Sequence, residues 1–273
     1  MTDHAVWERI AAALERLAPP PPEPVDWLGA PAYWWDGGRA IPVPVMAALP
    51  LAALIGIEPQ KTAVRANLAR LAQGAAAQDM LLWGARGMGK SALVRAAVAD
   101  IALQQPGSIA LVQMASGSLA SFPRLIGQLA QAQRAFVLFI DDLGFGDDGT
   151  SDNLALRSLL DGGIIPRPAH IRIAVTSNRR GIISRSADES AALHERDERD
   201  DALALADRFG LSLAFHPADR ETYLAIIRSY TGPRGLSFKE EEALAFAIQR
   251  GNRSGRTALQ FATELAGKAG VML

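Results

Sequence analysis

Cysteine is absent from the 273 residues, which excludes disulfide scaffolds, thiolate metal sites and cysteine nucleophiles together and fits a reducing compartment. An excess of charge of one sign is lacking too. With 28 Lys and Arg against 29 Asp and Glu, the formal net charge is -1. A constitutive nucleic-acid coat is not expected at that balance, because phosphate binding draws its affinity from clustered cations; a local basic patch is still compatible with it. Long uninterrupted apolar runs are missing as well: the best candidate, Ile41 to Ile57, is broken by Pro42, Pro44 and Pro50 and ends at Glu58, so no membrane span is expected. Asp3, Glu8 and Glu15 stand where a signal peptide wants a basic start and an apolar stretch, and the expected location is cytoplasmic. No internal repeats occur. What remains is a chain 49% hydrophobic, which excludes a disordered or fibrous protein. At roughly 150 residues per domain it makes about one large domain and a smaller unit.

Val6, Ile10, Leu14 and Leu17, with Trp7 and Ala13 beside them, recur at helical spacing behind Asp3 as a cap. Their stripe needs a partner, either the chain's own domain or another protein. Pro19 to Pro22 with Pro24 forms a stiff extended spacer, and Trp27, Tyr33, Trp34 and Trp35 follow it as a cluster that either fills a core or stacks bases. From Lys61 to Ala75 the pattern is helical, and Met80 to Trp83 is a short buried strand. Helices over Leu93–Leu103, Leu119–Gln133 and Leu154–Leu160 then alternate with strands over Ile109–Gln113, Phe136–Ile140 and Ile171–Thr176, the signature of a parallel sheet covered on both faces. Leu211 to Phe215 is a further strand. Three helical patterns close the chain: Asp219–Tyr230, Ser237–Arg250, where Ser237 and Glu240 have capping-box spacing, and Ser254–Lys268. The expected organisation is an N-terminal extension over 1–50, an α/β nucleotide-binding domain over 51–216, and a small all-helical lid over 217–273.

Gly84-Ala85-Arg86-Gly87-Met88-Gly89-Lys90-Ser91 completes the G-x-x-x-x-G-K-[ST] pattern between a predicted strand and a predicted helix, the context the phosphate loop requires. Its glycines let successive N–H groups turn toward phosphates, the helix N-terminus adds partial positive charge, Lys90 reaches the outer phosphates, and Ser91 offers a hydroxyl to a metal ion. A second metal-binding carboxylate is then needed at the end of a neighbouring buried strand. Asp141 and Asp142 follow Phe136–Ile140 there: Asp141 holds Mg2+, directly or through water, and Asp142 accepts a proton from the attacking water or orients it. Asn178, in the cluster of small polar groups that closes the strand Ile171–Thr176, lies at the same carboxyl edge of the sheet, where open α/β folds bind ligands, and positions water near the terminal phosphate.

By these motifs the chain from about Leu51 to Gly270 resembles AAA-plus ATPases. It is most similar to a bacterial group of unassigned role whose members share a G-A-R-G-x-G-K-S loop, a D-D-L motif, an L-D-G-G turn (here Leu160 to Gly163) and a T-S-N-R-R segment (Thr176 to Arg180). More distantly it is similar to replication initiators and helicase loaders. The resemblance implies a P-loop NTPase fold, parallel sheet flanked by helices followed by a helical lid, with ATP and Mg2+ as ligands and assembly into a homo-oligomer acting on an unknown protein client. It also implies roles for further residues. Gly56 and Ile57, near Gln60, line adenine; Arg208, in Ala206-Asp207-Arg208-Phe209-Gly210, is the arginine finger offered to a neighbouring subunit; Arg253, or Arg256 one turn along, is the lid sensor. Asp142 departs from the glutamate of many relatives, which implies slow hydrolysis. The stretch Met114 to Phe122 lacks the aromatic-apolar-glycine loop of protein unfoldases.

Two functional readings follow from the resemblance: a remodelling ATPase that turns over ATP in an oligomer, or a nucleotide-gated loader for which hydrolysis is a reset. The mixed-charge run His194 to Asp201 is taken as a solvated segment rather than a metal site. Arg179 and Arg180 touch phosphate or a partner, or are simply exposed loop charge.

Overall fold

The computed structural model describes residues 3–17, 24–115, 117–143, 150–160, 166–178 and 206–273. In chain order the elements are α1 (Asp3–Leu17), β1 (Ala32–Trp35), β2 (Ala40–Val43), α2 (Glu58–Ala72), β3 (Met80–Gly84), α3 (Lys90–Gln104), β4 (Ile109–Met114), α4 (Phe122–Leu129), β5 (Ala135–Ile140), α5 (Thr150–Leu160), β6 (Ile171–Ser177) and β7 (Leu211–Phe215). Three helices complete the chain: α6 (Arg220–Thr231), α7 (Glu240–Gln249) and α8 (Gly255–Lys268). The strands form one sheet in the order β2-β1-β4-β5-β6-β3-β7. Every neighbouring pair is parallel except β1 with β2. β5 is buried at all six positions, as a central parallel strand must be when both faces are covered. Along the strands, Met80, Leu82, Val137 and Phe139 turn to a core shared with α2, α3 and α6. Leu81, Phe136, Leu138 and Ile173 turn to a second core with α4 and α5.

The sheet reaches beyond the boundary expected at residue 51. β1 pairs in parallel with β4, placing Trp34 opposite Gln113, and β2 returns as the outer edge, so 32–43 belong to the α/β domain and not to an extension. Pro42 has no N–H for a ladder, and it is tolerated because it lies on that edge strand. The aromatic cluster is core: Trp35 is fully buried, Tyr33 and Trp27 are nearly so, and only Trp34 is exposed. Arg134, itself buried, clamps this segment by donating to the carbonyls of Trp27 (3.1 Å), Ala30 (2.8 Å) and Ile109 (2.7 Å). The three bonds tie the segment before β1 to the start of β4 through one guanidinium.

Two helix starts also differ from expectation. The segment from Leu119 is a 3-10 turn to Ser121, and α4 proper begins at Phe122, because Pro123 fits only the first turn of a helix. The capping box of Ser237 and Glu240 does not form. Lys239 is the N-cap, without a side-chain bond, and the Glu240 carboxylate is taken instead by Arg220 at 3.0 Å and Arg228 at 2.5 Å from α6. Three glutamates in that first turn complement the helix dipole in place of a cap. Among the described residues no helix is long and apolar enough to cross a membrane. Pro19–Pro22, Asp161–Gly163, Arg179–Arg180 and His194–Asp201 lie outside the described residues.

Candidate nucleotide site

The phosphate-loop segment leaves β3 with its backbone pressed against β7. Gly84 has φ +118°, and a Cβ there would stand 2.3 Å from the Phe215 carbonyl oxygen, so only glycine fits. Ala85 N–H donates to that same oxygen at 2.8 Å. At the other end of the loop, Lys90 opens α3 and is 5% exposed. Its Nζ donates to the carbonyls of Gly84 (2.9 Å) and Ala85 (2.8 Å) and to Asn178 Oδ1 (2.9 Å). Burial pulls the Lys90 pKa down to about 8, opposed by the negative charges of Asp142 and Asp141 and aided by Arg86 and Arg256.

Asp141 leaves β5 at the carboxyl edge. Its Oδ1 accepts from Ser91 Oγ at 2.5 Å and from Thr176 Oγ1 at 2.7 Å. The main chain then turns: Asp142 has φ +56°, a left-handed conformation that Asp tolerates better than most non-glycine residues. Thr176 holds that turn from the adjacent strand, since its hydroxyl accepts from Asp142 N–H (2.9 Å) and its carbonyl from Leu143 N–H (2.8 Å). Asn178 Nδ2 donates to the Asp142 carboxylate. Lys90, Asn178, Asp142, Thr176, Asp141 and Ser91 thus form one connected polar network drawn from α3, β5 and β6.

This network is the polar end of a cleft of about 420 Å³. Gly87, Met88, Gly89, Lys90 and Ser91 line it, with Asp141, Asp142, Thr176 and Asn178 opposite. The other end is apolar, walled by Leu54, Ile55 and Ile57 before α2 and by Ile226, Tyr230 and Leu259 from the helical unit. Polar groups gathered at one end of an apolar slot suit a ligand that is flat and apolar at one end and anionic at the other.

Of the residues expected at the site, Ile57 lines the cleft, whereas Gly56 lies behind it with φ +79° and its Cα against Thr222. Gly84, Ala85 and Arg86 shape the loop without lining the cavity, and Arg86 is exposed. Of the two candidate lid arginines the structure brings Arg256 to the cleft and leaves Arg253 outside it. Ser254 is the N-cap of α8 and accepts from Thr257 N–H, so Arg253 precedes the helix. Its carbonyl receives Ala218 N–H at 3.1 Å. Arg256 lies in the first turn, where its own N–H donates to Gly87 O at 3.2 Å. A Cβ on Gly87 would meet Ser254 Oγ at 2.7 Å, so the loop and the first turn of α8 touch directly. Arg208 stands exposed in the short turn before β7, between the buried Ala206 and Phe209, and does not line this cleft.

Two site residues were not anticipated from the sequence. Thr176 orients both aspartates, and the only local signal for it is a hydroxyl near the end of an apolar strand. Arg95 lines the cleft, four residues beyond Ser91 and therefore on the same face of α3.

No curated protein matches the chain in sequence. Among solved structures it is similar to RuvB of Thermotoga maritima, described as a Holliday junction branch migration motor, at 19% identity and a TM-score of 0.51, covering 81% of this chain and 66% of that one. It is likewise similar to the ORC1 protein of Aeropyrum pernix, solved in complex with DNA, at 14% identity and a TM-score of 0.56, covering 84% of this chain and 63% of that one. The AAA domain of FIGL-1, solved with ADP, matches at 17% identity and a TM-score of 0.51, over 82% of this chain and 75% of that one. The chain therefore spans just under two thirds of the RuvB and ORC1 chains. At such identities the likeness is one of fold, and the fold is that of AAA-plus P-loop NTPases. The model of a protein family of unknown function, DUF815, matches residues 29–269, nearly the whole of the α/β and helical units built above, and the chain belongs to that family.

Proposed function

We propose that the protein binds and hydrolyses ATP with Mg2+ and uses the cycle to change conformation in an oligomer acting on a client. The observation that carries this reading is the single network joining Lys90, Ser91, Asp141, Asp142 and Asn178 at the polar end of an apolar cleft. Adenine occupies the apolar end beside Ile55, Ile57 and Tyr230, and the phosphates run along the loop. Lys90 turns from the loop carbonyls to the outer phosphates. Ser91 and Asp141 present a hydroxyl and a carboxylate oxygen 2.5 Å apart, hard donors that fit Mg2+, and these two residues would hold it. When bound, the ion offsets negative charge on the outer phosphates. Asn178 orients the attacking water, Asp142 takes its proton, and ADP leaves on the bridging oxygen. Arg256, from the chain's own lid, and Arg208, from a neighbouring subunit, meet charge developing on the transferring group.

Replacing Lys90 by Ala tests the site. Loss of two charge-assisted contacts at about 1.5 kcal/mol each should weaken ATP roughly a hundredfold, read by titration of a fluorescent analogue; unchanged affinity refutes the assignment. A second reading, a nucleotide-gated loader of protein or nucleic acid with slow hydrolysis as its reset, is favoured by Asp142: its side chain is short, and its carboxylate is engaged by Asn178. Turnover with and without single-stranded DNA or RNA separates the two, since stimulation supports a nucleic-acid loader and a flat response removes it.

A further inference from the structure

Among the described residues three cations line the cleft, Lys90, Arg95 and Arg256, and the reading above gives a role to the first and the last. Arg95 is half-buried in the second turn of α3. Among the described residues no hydrogen bond or ion pair takes its guanidinium. Its neighbours one turn away on the helix, Ser91, Ala92, Val98 and Ala99, carry no charge. Both acids in the cleft are engaged elsewhere, Asp141 by Ser91 and Thr176 and Asp142 by Asn178. A guanidinium drawn partly out of water with no counter-charge is unfavourable by itself, and an anion that meets it removes that cost.

The place of Arg95 selects the anion. Its Cα lies about 6 Å past that of Ser91 along the axis, and side chains on a helix lean toward its N-terminus, so Arg95 reaches back toward the phosphate loop. The start of α3 also abuts the apolar wall, since a Cβ on Gly89 would meet Ile57 at 3.6 Å and Leu54 at 3.9 Å. Further along, α3 packs on the 3-10 turn Leu51–Ala53. Arg95 therefore stands where the apolar slot passes into the polar end. Arg86 and Arg256 both lower the Lys90 pKa more than Arg95 does, as a cation set back from the outer-phosphate end must. In a nucleotide with its base in the apolar end, that junction holds the ribose and the first phosphate, and only the phosphate is charged. We propose, on the basis of the nucleotide reading of this site, that Arg95 binds the α-phosphate. ATP and ADP share that group, so Arg95 retains the nucleotide before and after hydrolysis, whereas Arg256 answers to the phosphate that is transferred.

Nucleotide binding to the full chain tests the assignment. Arg95→Ala replaces one good helix former by another and should melt as the wild type does. It should bind ATP, ADP and deoxy-ATP each about tenfold more weakly, by one common factor. Arg95→Lys keeps the charge but loses the planar fork and should recover part of that affinity. The two diastereomers of α-thio ATP, which differ in the α-oxygen replaced by sulfur, give a readout that mere loosening of the helix would not move. The ratio of their affinities should change by about threefold or more in Arg95→Ala, and Arg95→Lys carries the same measurement should the alanine variant melt early. A loss confined to ATP would give Arg95 to the outer phosphates, and a loss that vanishes with deoxy-ATP would give it to the ribose. Unchanged affinity, or weaker binding with an unchanged diastereomer ratio, would make it a structural residue; each of these results overturns the inference. Lys90→Ala in the same titrations keeps two failures apart. Binding that depends on Lys90 and ignores Arg95 overturns this contact alone, and binding that ignores both overturns the nucleotide site with it.

Discussion

At the scale of single residues, Lys90 combines two demands that oppose each other. Its ammonium is taken out of water at the base of the loop, which lowers its pKa to about 8; phosphates arriving beside it would favour the charged form and raise that pKa again. Nucleotide binding above about pH 8 should therefore take up a proton, with affinity level below that pH and falling above it toward tenfold per unit. Calorimetry in buffers of different ionisation enthalpy reads the proton directly, and a pH-independent affinity between 8 and 10 would contradict the assignment. Stability runs the other way. The unfolded chain, with an ordinary lysine near 10.4, binds more protons across that window, so the contribution of Lys90 to folding improves as pH rises from about 8 to about 10. Asp141 predicts a separate signature: Asp141→Asn keeps the shape and removes the charge, so turnover should fall at least tenfold at limiting Mg2+ while the circular dichroism stays unchanged. Lys90, Ser91 and Asp141 were readable in the sequence because they sit in contiguous patterns whose chemistry depends on backbone neighbours. Thr176 was not, since its role exists only where β6 lies against the end of β5.

At the scale of elements, the first turn of α8 decides which arginine lines the cleft. Arg253 and Arg256 are three apart and would share a face in one continuous helix. Ser254 ends that ambiguity by adopting an extended conformation as N-cap (φ -127°, ψ 162°), which leaves Arg253 outside the helix and directs Arg256 into the cleft. Arg256→Ala should accordingly lower kcat/KM for ATP by at least tenfold, and Arg253→Ala should leave it within about twofold, a comparison that steady-state kinetics makes directly. The helices themselves were largely legible from apolar periodicity, with ends misplaced where Pro123 and the Glu240 ion pairs intervene. The hairpin of β1 and β2 was not legible. Two four-residue strands, one containing Pro42, carry too little alternation to register, and their partner β4 lies some 80 residues away in sequence.

At the scale of the whole molecule, truncation separates tail from domain. A chain beginning at residue 24 loses only α1 and the proline-rich segment and should melt within a few degrees of the full chain. One beginning at residue 51 loses Trp27, Tyr33 and Trp35 from the core. Large aromatics removed from a core cost about 3–5 kcal/mol each, against a total stability of about 5–15 kcal/mol, so the shorter chain should not fold; thermal unfolding followed by circular dichroism distinguishes the two. A second whole-molecule prediction concerns Arg208. Arg208→Ala should lower turnover sharply with little change in ATP affinity, and mixing it with Lys90→Ala should restore part of the activity, because some interfaces would then pair an intact loop with an intact finger. No rescue in mixtures shown by sizing to co-assemble would place the action of Arg208 within its own chain.

The sequence by itself determined the alternation of strand and helix, the phosphate loop with its lysine and serine, and the carboxylates that follow a buried strand, because each is a local pattern: periodicity, turn chemistry, or residues adjacent in the chain. Only the tertiary structure decided where the sheet ends, which lid arginine faces the cleft, that Thr176 holds both aspartates, and that the aromatic cluster is core. Those outcomes depend on which distant segments come to lie side by side, and strand pairing and side-chain packing across tens of residues leave little trace in the local pattern of any one segment.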